Sequence, residues 1–123
     1  MNLKKCMNCG ALVWILKDCN CDVCGIKCCL TEMVNVKANS VDAAIEKHKP
    51  VYAIVGDNIE VSVNHVMEED HYIEWIAVVY GEKVYKQDFK PGDEPKMTVP
   101  YKKGAKLYAY CNKHSLWETE VEN

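Results

Sequence analysis

The residues of this chain best suited to chemistry are its four histidines and the one cysteine that stands apart from the rest. His48 lies in Glu46-Lys47-His48-Lys49-Pro50. His65 and His71 bracket a short acidic turn, Val66-Met67-Glu68-Glu69-Asp70. His114 follows Cys111 in Cys111-Asn112-Lys113-His114. A single histidine in a β protein is more often a surface or satisfied core residue than a ligand. The conjunction carries the weight here, because no histidine is left over. Together these residues offer one site of four imidazoles and one thiolate. Structural zinc takes four ligands and has no use for a fifth. Blue copper takes two histidines, one cysteine and a weak axial group. Five protein donors suit a square-pyramidal, redox-active iron with one open position. A thiolate opposite that position would push electron density through the metal toward a small oxygen species. Glu46 and Lys47, beside His48, read on composition alone as two solvated charges. At the border of such a site a lysine would draw in a small anion, and a carboxylate could fill the vacant position at rest or relay a proton.

The other seven cysteines are Cys6, Cys9, Cys19, Cys21, Cys24, Cys28 and Cys29. Four thiolates make a tetrahedral site for iron or zinc, and two quartets are open. Cys6-x-x-Cys9-Gly10 and Cys21-x-x-Cys24-Gly25 form paired knuckles of the rubredoxin or zinc-ribbon kind, in which each glycine lets turn amides face sulfur. The second quartet is Cys6, Cys9, Cys28 and Cys29, closed by an adjacent pair. Spacing alone favours the first. Dense cysteine means disulfides in a secreted chain and metal in a cytosolic one. The apolar run Ala11–Leu16 is followed by Lys17 and Asp18. It is too short for a signal core or a bilayer span. The expected setting is therefore cytoplasmic and thiol-reducing, with metal-bound cysteines.

The chain has 123 residues, 49% of them hydrophobic and 27% charged, which bounds it to one ordinary domain or a small domain plus a metal-dependent module. The formal net charge of −3 gives no reason to expect nucleic acid or an anionic membrane as partner. Every basic residue is lysine, which also counts against phosphate recognition by guanidinium forks.

Two segments must position these ligands. Residues 1–36 form a cysteine-rich piece whose one apolar run, 11–16, predicts a short strand; it buries too little to fold without metal. Residues 37–123 read as an all-β domain. Strands are predicted at 51–55, 59–63, 72–80, 83–89, 97–99, 106–112 and 116–121, with glycine or proline in the turns between them. Leu107, Ala109 and Cys111 alternate with Tyr108 and Tyr110, which predicts Cys111 on the inward face at a strand end. The near-continuous apolar run 72–80 predicts a central strand. About seven short strands at this spacing imply an immunoglobulin-like β-sandwich. A helical turn is expected within 39–47, capped by Asn39 or Ser40, before Pro50 forces extension.

Four stretches carry a family resemblance: Glu46–Pro50, His65-Val66-Met67-Glu68-Glu69-Asp70-His71-Tyr72-Ile73-Glu74-Trp75-Ile76, Pro91-Gly92-Asp93-Glu94-Pro95, and Tyr108–Trp117 around Cys111-Asn112-Lys113-His114. The chain resembles desulfoferrodoxin, the two-domain superoxide reductase family, throughout the C-terminal segment. The resemblance implies that His48, His65, His71 and His114 bind iron equatorially and Cys111 axially. It implies that Lys47 attracts the anion and that Glu46 is a mobile carboxylate. The activity implied is one-electron reduction of superoxide to hydrogen peroxide, with an external donor such as rubredoxin and a homodimeric assembly. At the N-terminus it implies a desulforedoxin-like module with Cys6, Cys9, Cys28 and Cys29 around a second iron, which reverses the preference from spacing; zinc or an iron–sulfur cluster remains open there. The rival reading is a non-catalytic electron-transfer or zinc-binding interaction module. Four departures from the family pattern stand out. Cys19, Cys21 and Cys24 are extra. Ser115 and Leu30 stand where glycine is usual, and Val66 stands where proline is usual.

Overall fold

The computed structural model describes residues 1–21 and 25–122. The chain divides into two compact units, Met1–Lys37 and Ala38–Asn123. Among the described residues no helix is long and apolar enough to cross a membrane.

The first unit is built from β1 (Leu3–Lys5), β2 (Leu12–Trp14), β3 (Lys27–Cys28), β4 (Thr31–Glu32) and β5 (Val34–Val36). β1 pairs antiparallel with both β2 and β5, and β3 pairs with β4 as a hairpin. The strand expected in the 11–16 run is β2. Among the described residues of this unit, apolar burial is confined to Leu3, Cys6 and Met33. At ~1.5–3 kcal/mol per buried apolar side chain, this cannot offset ~1–2 kcal/mol of backbone entropy per ordered residue. The unit therefore needs a cross-link that the hydrophobic effect does not provide.

The second unit is a sandwich of two antiparallel sheets. β6 (Val51–Val55), β7 (Asn58–Ser62) and β10 (Lys96–Pro100) form one, in the order β10-β7-β6. β8 (Ile73–Tyr80), β9 (Lys83–Asp88), β11 (Lys106–Cys111) and β12 (Ser115–Glu120) form the other, in the order β12-β11-β8-β9. This is the immunoglobulin-like, mainly β architecture expected from the strand pattern. Ile59 and Val61 of β7 and Met97 and Val99 of β10 meet Ile76, Val78, Leu107, Ala109 and Cys111 from the other sheet in one core. β8 is a central strand, as its apolar run predicts. Alternation in β11 is less clean than the sequence suggests. Tyr108 and Tyr110 are only 2% exposed, as buried as their inward neighbours, and Tyr110 stacks on Trp75 with centroids 5.6 Å apart. A central strand buries both of its faces, so period-two polarity fades there.

The helical turn expected within 39–47 is present, but without the expected cap. It is a single 3-10 turn, Ile45–Lys47, preceded by Ala44 in extended conformation with no side-chain cap. Asn39 does not cap it. With φ +59°, Asn39 lies along the free edge of β12. Its N–H donates to the Leu116 carbonyl (2.9 Å), its Nδ2 donates to the Glu118 carbonyl (3.2 Å), and its Oδ1 accepts from the Glu118 N–H (2.9 Å). One residue thus satisfies part of an exposed strand edge.

Register decides where the loops gather. Val51 at the start of β6 faces Ser62 at the end of β7. Ile73 at the start of β8 faces Cys111 at the end of β11, which faces Ser115 at the start of β12. The segments carrying the histidines all leave or enter these strand ends.

Candidate metal centre

His48 follows the 3-10 turn and precedes β6. His65 and His71 lie on the connection from β7 to β8. Cys111 ends β11, and His114 sits in the tight connection to β12. One ligand atom from each of these five residues lies within 4.8 Å of every other. Metal–nitrogen bonds of ~2.1 Å and metal–sulfur bonds of ~2.3 Å put donors on opposite sides of an ion about 4.2–4.4 Å apart, so the spread suits one ion.

The hydrogen bonds say which atoms face inward. A carbonyl can only accept, so a ring nitrogen beside one carries the proton and leaves the other nitrogen as a lone pair. His48 Nδ1 donates to the Ala44 carbonyl (2.7 Å), which frees Nε2. His65 Nδ1 donates to the Val66 carbonyl, and its Nε2 lies 3.4 Å from Cys111 Sγ. His114 presents Nδ1, 2.9 Å from His48 Nε2 and 3.8 Å from Cys111 Sγ. His71 Nε2 is buried with no hydrogen-bond partner. An orphaned buried nitrogen costs ~1–3 kcal/mol unless something else satisfies it. A cation between the four imidazole nitrogens and the sulfur would satisfy all five at once, His71 Nε2 included.

Electrostatics agree. Burial, more than any other cause, holds the His65 and His114 pKa values below the ordinary histidine range, and the neighbouring imidazoles add to it. Both rings therefore favour the neutral, ligating form. Burial also pushes the Cys111 thiol up, against the pull of the Lys113 and His114 backbone amides. A buried thiolate there calls for a positive ion.

Local structure explains the placement. A register shift between Tyr110 and Cys111 in the β11–β8 ladder turns the strand end, as a bulge does where a side chain must be re-aimed. Cys111 is fully buried as a result. Ser115 takes φ +64° to close the hairpin. The His65–His71 segment is tied off by reciprocal main-chain bonds between Glu68 and His71 (2.9 and 3.2 Å). Sequence reasoning gave Trp117 no role. It stacks on His48 at 5.1 Å and donates from Nε1 to the His114 carbonyl (3.0 Å), so it braces two ligands at once. Its position three residues beyond His114 was the available signal. Glu46 and Lys47 lie in the 3-10 turn before His48, both exposed.

The second cluster is Cys6, Cys9, Cys28 and Cys29, again within 4.8 Å of one another. Cys9 Sγ is 3.6 Å from Cys28 Sγ, and Cys28 Sγ is 3.8 Å from Cys29 Sγ. A tetrahedron with ~2.3 Å metal–sulfur bonds has edges of about 3.8 Å. Gly10, at φ +80°, closes the Cys6–Cys9 knuckle, and the Cys9 N–H points at Cys6 Sγ (3.4 Å). The Cys9 and Asn8 amides pull the Cys6 pKa down to about 6. Cys28, bonded first to Cys9 and then to Cys6, is pushed up to about 12. A cation between sulfurs this close would offset their mutual repulsion as thiolates. Of the alternative quartet, Cys21 is exposed and outside this group, and Cys24 lies outside the described residues.

The comparisons with known proteins agree in kind. A family model described as Desulfoferrodoxin matches residues 40–120. A desulfoferrodoxin of Syntrophotalea carbinolica is 40% identical, with the alignment covering 98% of this chain and 96% of that protein. A superoxide reductase of Pyrococcus horikoshii is 33% identical over 73% of this chain and 98% of its own length. Among solved structures, the superoxide reductase from Treponema pallidum superposes with a TM-score of 0.70 at 24% identity, covering 95% of this chain and 98% of that one; at that identity it speaks for the fold.

Proposed function

The chain belongs to the desulfoferrodoxin family, and from that premise we propose that it is a superoxide reductase whose catalytic iron is held by His48, His65, His71, His114 and Cys111. The observation that carries this reading is the orphaned, buried His71 Nε2 within a five-donor cluster. Iron bound there would supply one-electron reduction, by which superoxide and two protons become hydrogen peroxide and an external donor restores the electron.

The rest belongs to the chain. The carbonyls of Ala44 and Val66 fix the tautomers of His48 and His65 and raise their basicity as ligands. The Lys113 and His114 amides, directed at Cys111, temper the charge its sulfur can donate. Trp117 keeps the His48 ring from turning. Lys47, exposed beside His48, draws in the anion, and Glu46, on the same turn, is placed to pass a proton or cover the site at rest. The substrate is diatomic, so no deep pocket is required.

Cys6, Cys9, Cys28 and Cys29 would hold a second iron that ties the small unit together, with zinc or an iron–sulfur cluster as the alternatives. The donor in this reading is a rubredoxin-like carrier, and the assembly is a homodimer. Replacing Cys111 with Ser tests the reading. Superoxide consumption should be abolished while the visible bands of the N-terminal thiolate site persist. Retained turnover would remove Cys111 from the chemistry, and a colourless zinc protein without activity would favour a binding module instead.

A further inference from the structure

The β8–β11 ladder ends at the pair Ile73–Cys111, yet the two loops beyond it, one carrying His71 and the other His114, must keep their spacing. Asn112 spans the gap. Its N–H donates to the Tyr72 carbonyl (3.2 Å), its Oδ1 accepts from the Tyr72 N–H (2.9 Å), and its Nδ2 donates to the Asp70 carbonyl (2.9 Å). Asp70 and Tyr72 flank His71. One planar amide therefore grips the main chain on both sides of a candidate ligand, from a residue directly after another. It extends the ladder by one step with a side chain in place of a strand. The grip needs a donor and an acceptor on the same short group, which asparagine alone combines at this length. Aspartate would set an oxygen against the Asp70 carbonyl, and alanine would remove the partners of the Tyr72 N–H and the Asp70 carbonyl, leaving only the main-chain bond to the Tyr72 carbonyl. The nearby Lys113–Asp70 contact, 3.8 Å and exposed, adds little.

We propose that Asn112 is the positioning residue for His71, fixing the His71 nitrogen relative to Cys111 and His114 through the backbone of residues 70 and 72. This rests on the reading that the five-donor cluster binds iron. A misplaced ring loses affinity even when every ligand is present, as loss of an outer-sphere partner does at metal sites generally.

The test uses the full chain and ferrous iron, with affinity at the histidine-rich site read by anaerobic chelator competition. Asn112→Ala and Asn112→Asp should each weaken iron about 10- to 100-fold. In a His71→Ala background the same changes should cost less than about twofold, because the residue acts through the missing ring. Equal losses in both backgrounds would make Asn112 a general brace, and unchanged affinity would overturn the role outright. Metal-free protein gives a second reading. Hydrogen exchange at the Tyr72 amide should accelerate at least about tenfold in both variants as the clamp opens locally, with strands β7 and β11 still protected. Unchanged exchange at Tyr72 would overturn the clamp. If the unaltered chain takes up no iron at this site, the proposed function fails, while the exchange measurement still judges Asn112.

Discussion

His71 Nε2 shows what a single atom can report. Buried and without a partner, it is out of place in an apolar core and in place beside a cation. Two neighbouring residues carry sharper consequences. Ser115 holds φ +64° at the foot of the β11–β12 hairpin, a conformation that costs a non-glycine residue ~1–2 kcal/mol. Ser115→Gly should raise the unfolding free energy by about 1 kcal/mol, read by denaturant titration; a decrease would mean the serine hydroxyl repays the strain. Lys47 is exposed, so its effect on an approaching anion must be long-range and screened. Lys47→Glu should slow superoxide capture most at low ionic strength, with the difference shrinking as the Debye length falls below ~10 Å. An identical rate and salt dependence would make Lys47 an ordinary surface charge.

The elements differ in how visible they are in the sequence. The sandwich strands announce themselves through alternation and glycine turns, and the Cys111 end of β11 follows from parity. The β3–β4 hairpin does not. Its two-residue turn is Cys29-Leu30, with φ +54° and +62°, the signs of an I′ turn that ordinarily calls for Asn-Gly. Nothing local in Cys-Leu favours that shape. Cys28 and Cys29 must meet Cys6 and Cys9 in one cluster, and a constraint that joins residues about twenty positions apart is not written in any one window of sequence. Leu30 is 97% exposed, so its side chain gains nothing within the chain to offset the strain. Leu30→Gly should stabilise the first unit by about 1 kcal/mol, seen as slower exchange of β3 and β4 amides; faster exchange would contradict this account of the turn. The cap of the 3-10 turn differs from the sequence expectation for a related reason. Asn39 has the look of a helix cap, but an unfinished strand edge 79 residues away claims its side chain.

Across the whole molecule, the two compact units solve the same problem by different means. The larger buries a continuous apolar core and holds its strands without help. The smaller closes its few short strands around four cysteines. Chelation of metal under reducing conditions should therefore release the amides of β1, β2 and β5 to fast exchange while β7, β8 and β11 stay protected; equal release in both units would show that the sandwich too depends on its ion. The histidine cluster asks something else of its fold. Loops from both sheets bring nitrogen and sulfur donors together on one frame, and that convergence was legible in the sequence as four histidines with no other employment, the parity of Cys111 and the family resemblance. The most direct measurement of the central claim is anaerobic iron quantification of the reduced protein, followed by superoxide consumption with a supplied reductant. The account expects iron at the histidine-rich site and peroxide formed in proportion to reductant consumed. Iron absent from that site, or superoxide lost without net use of reductant, would contradict it.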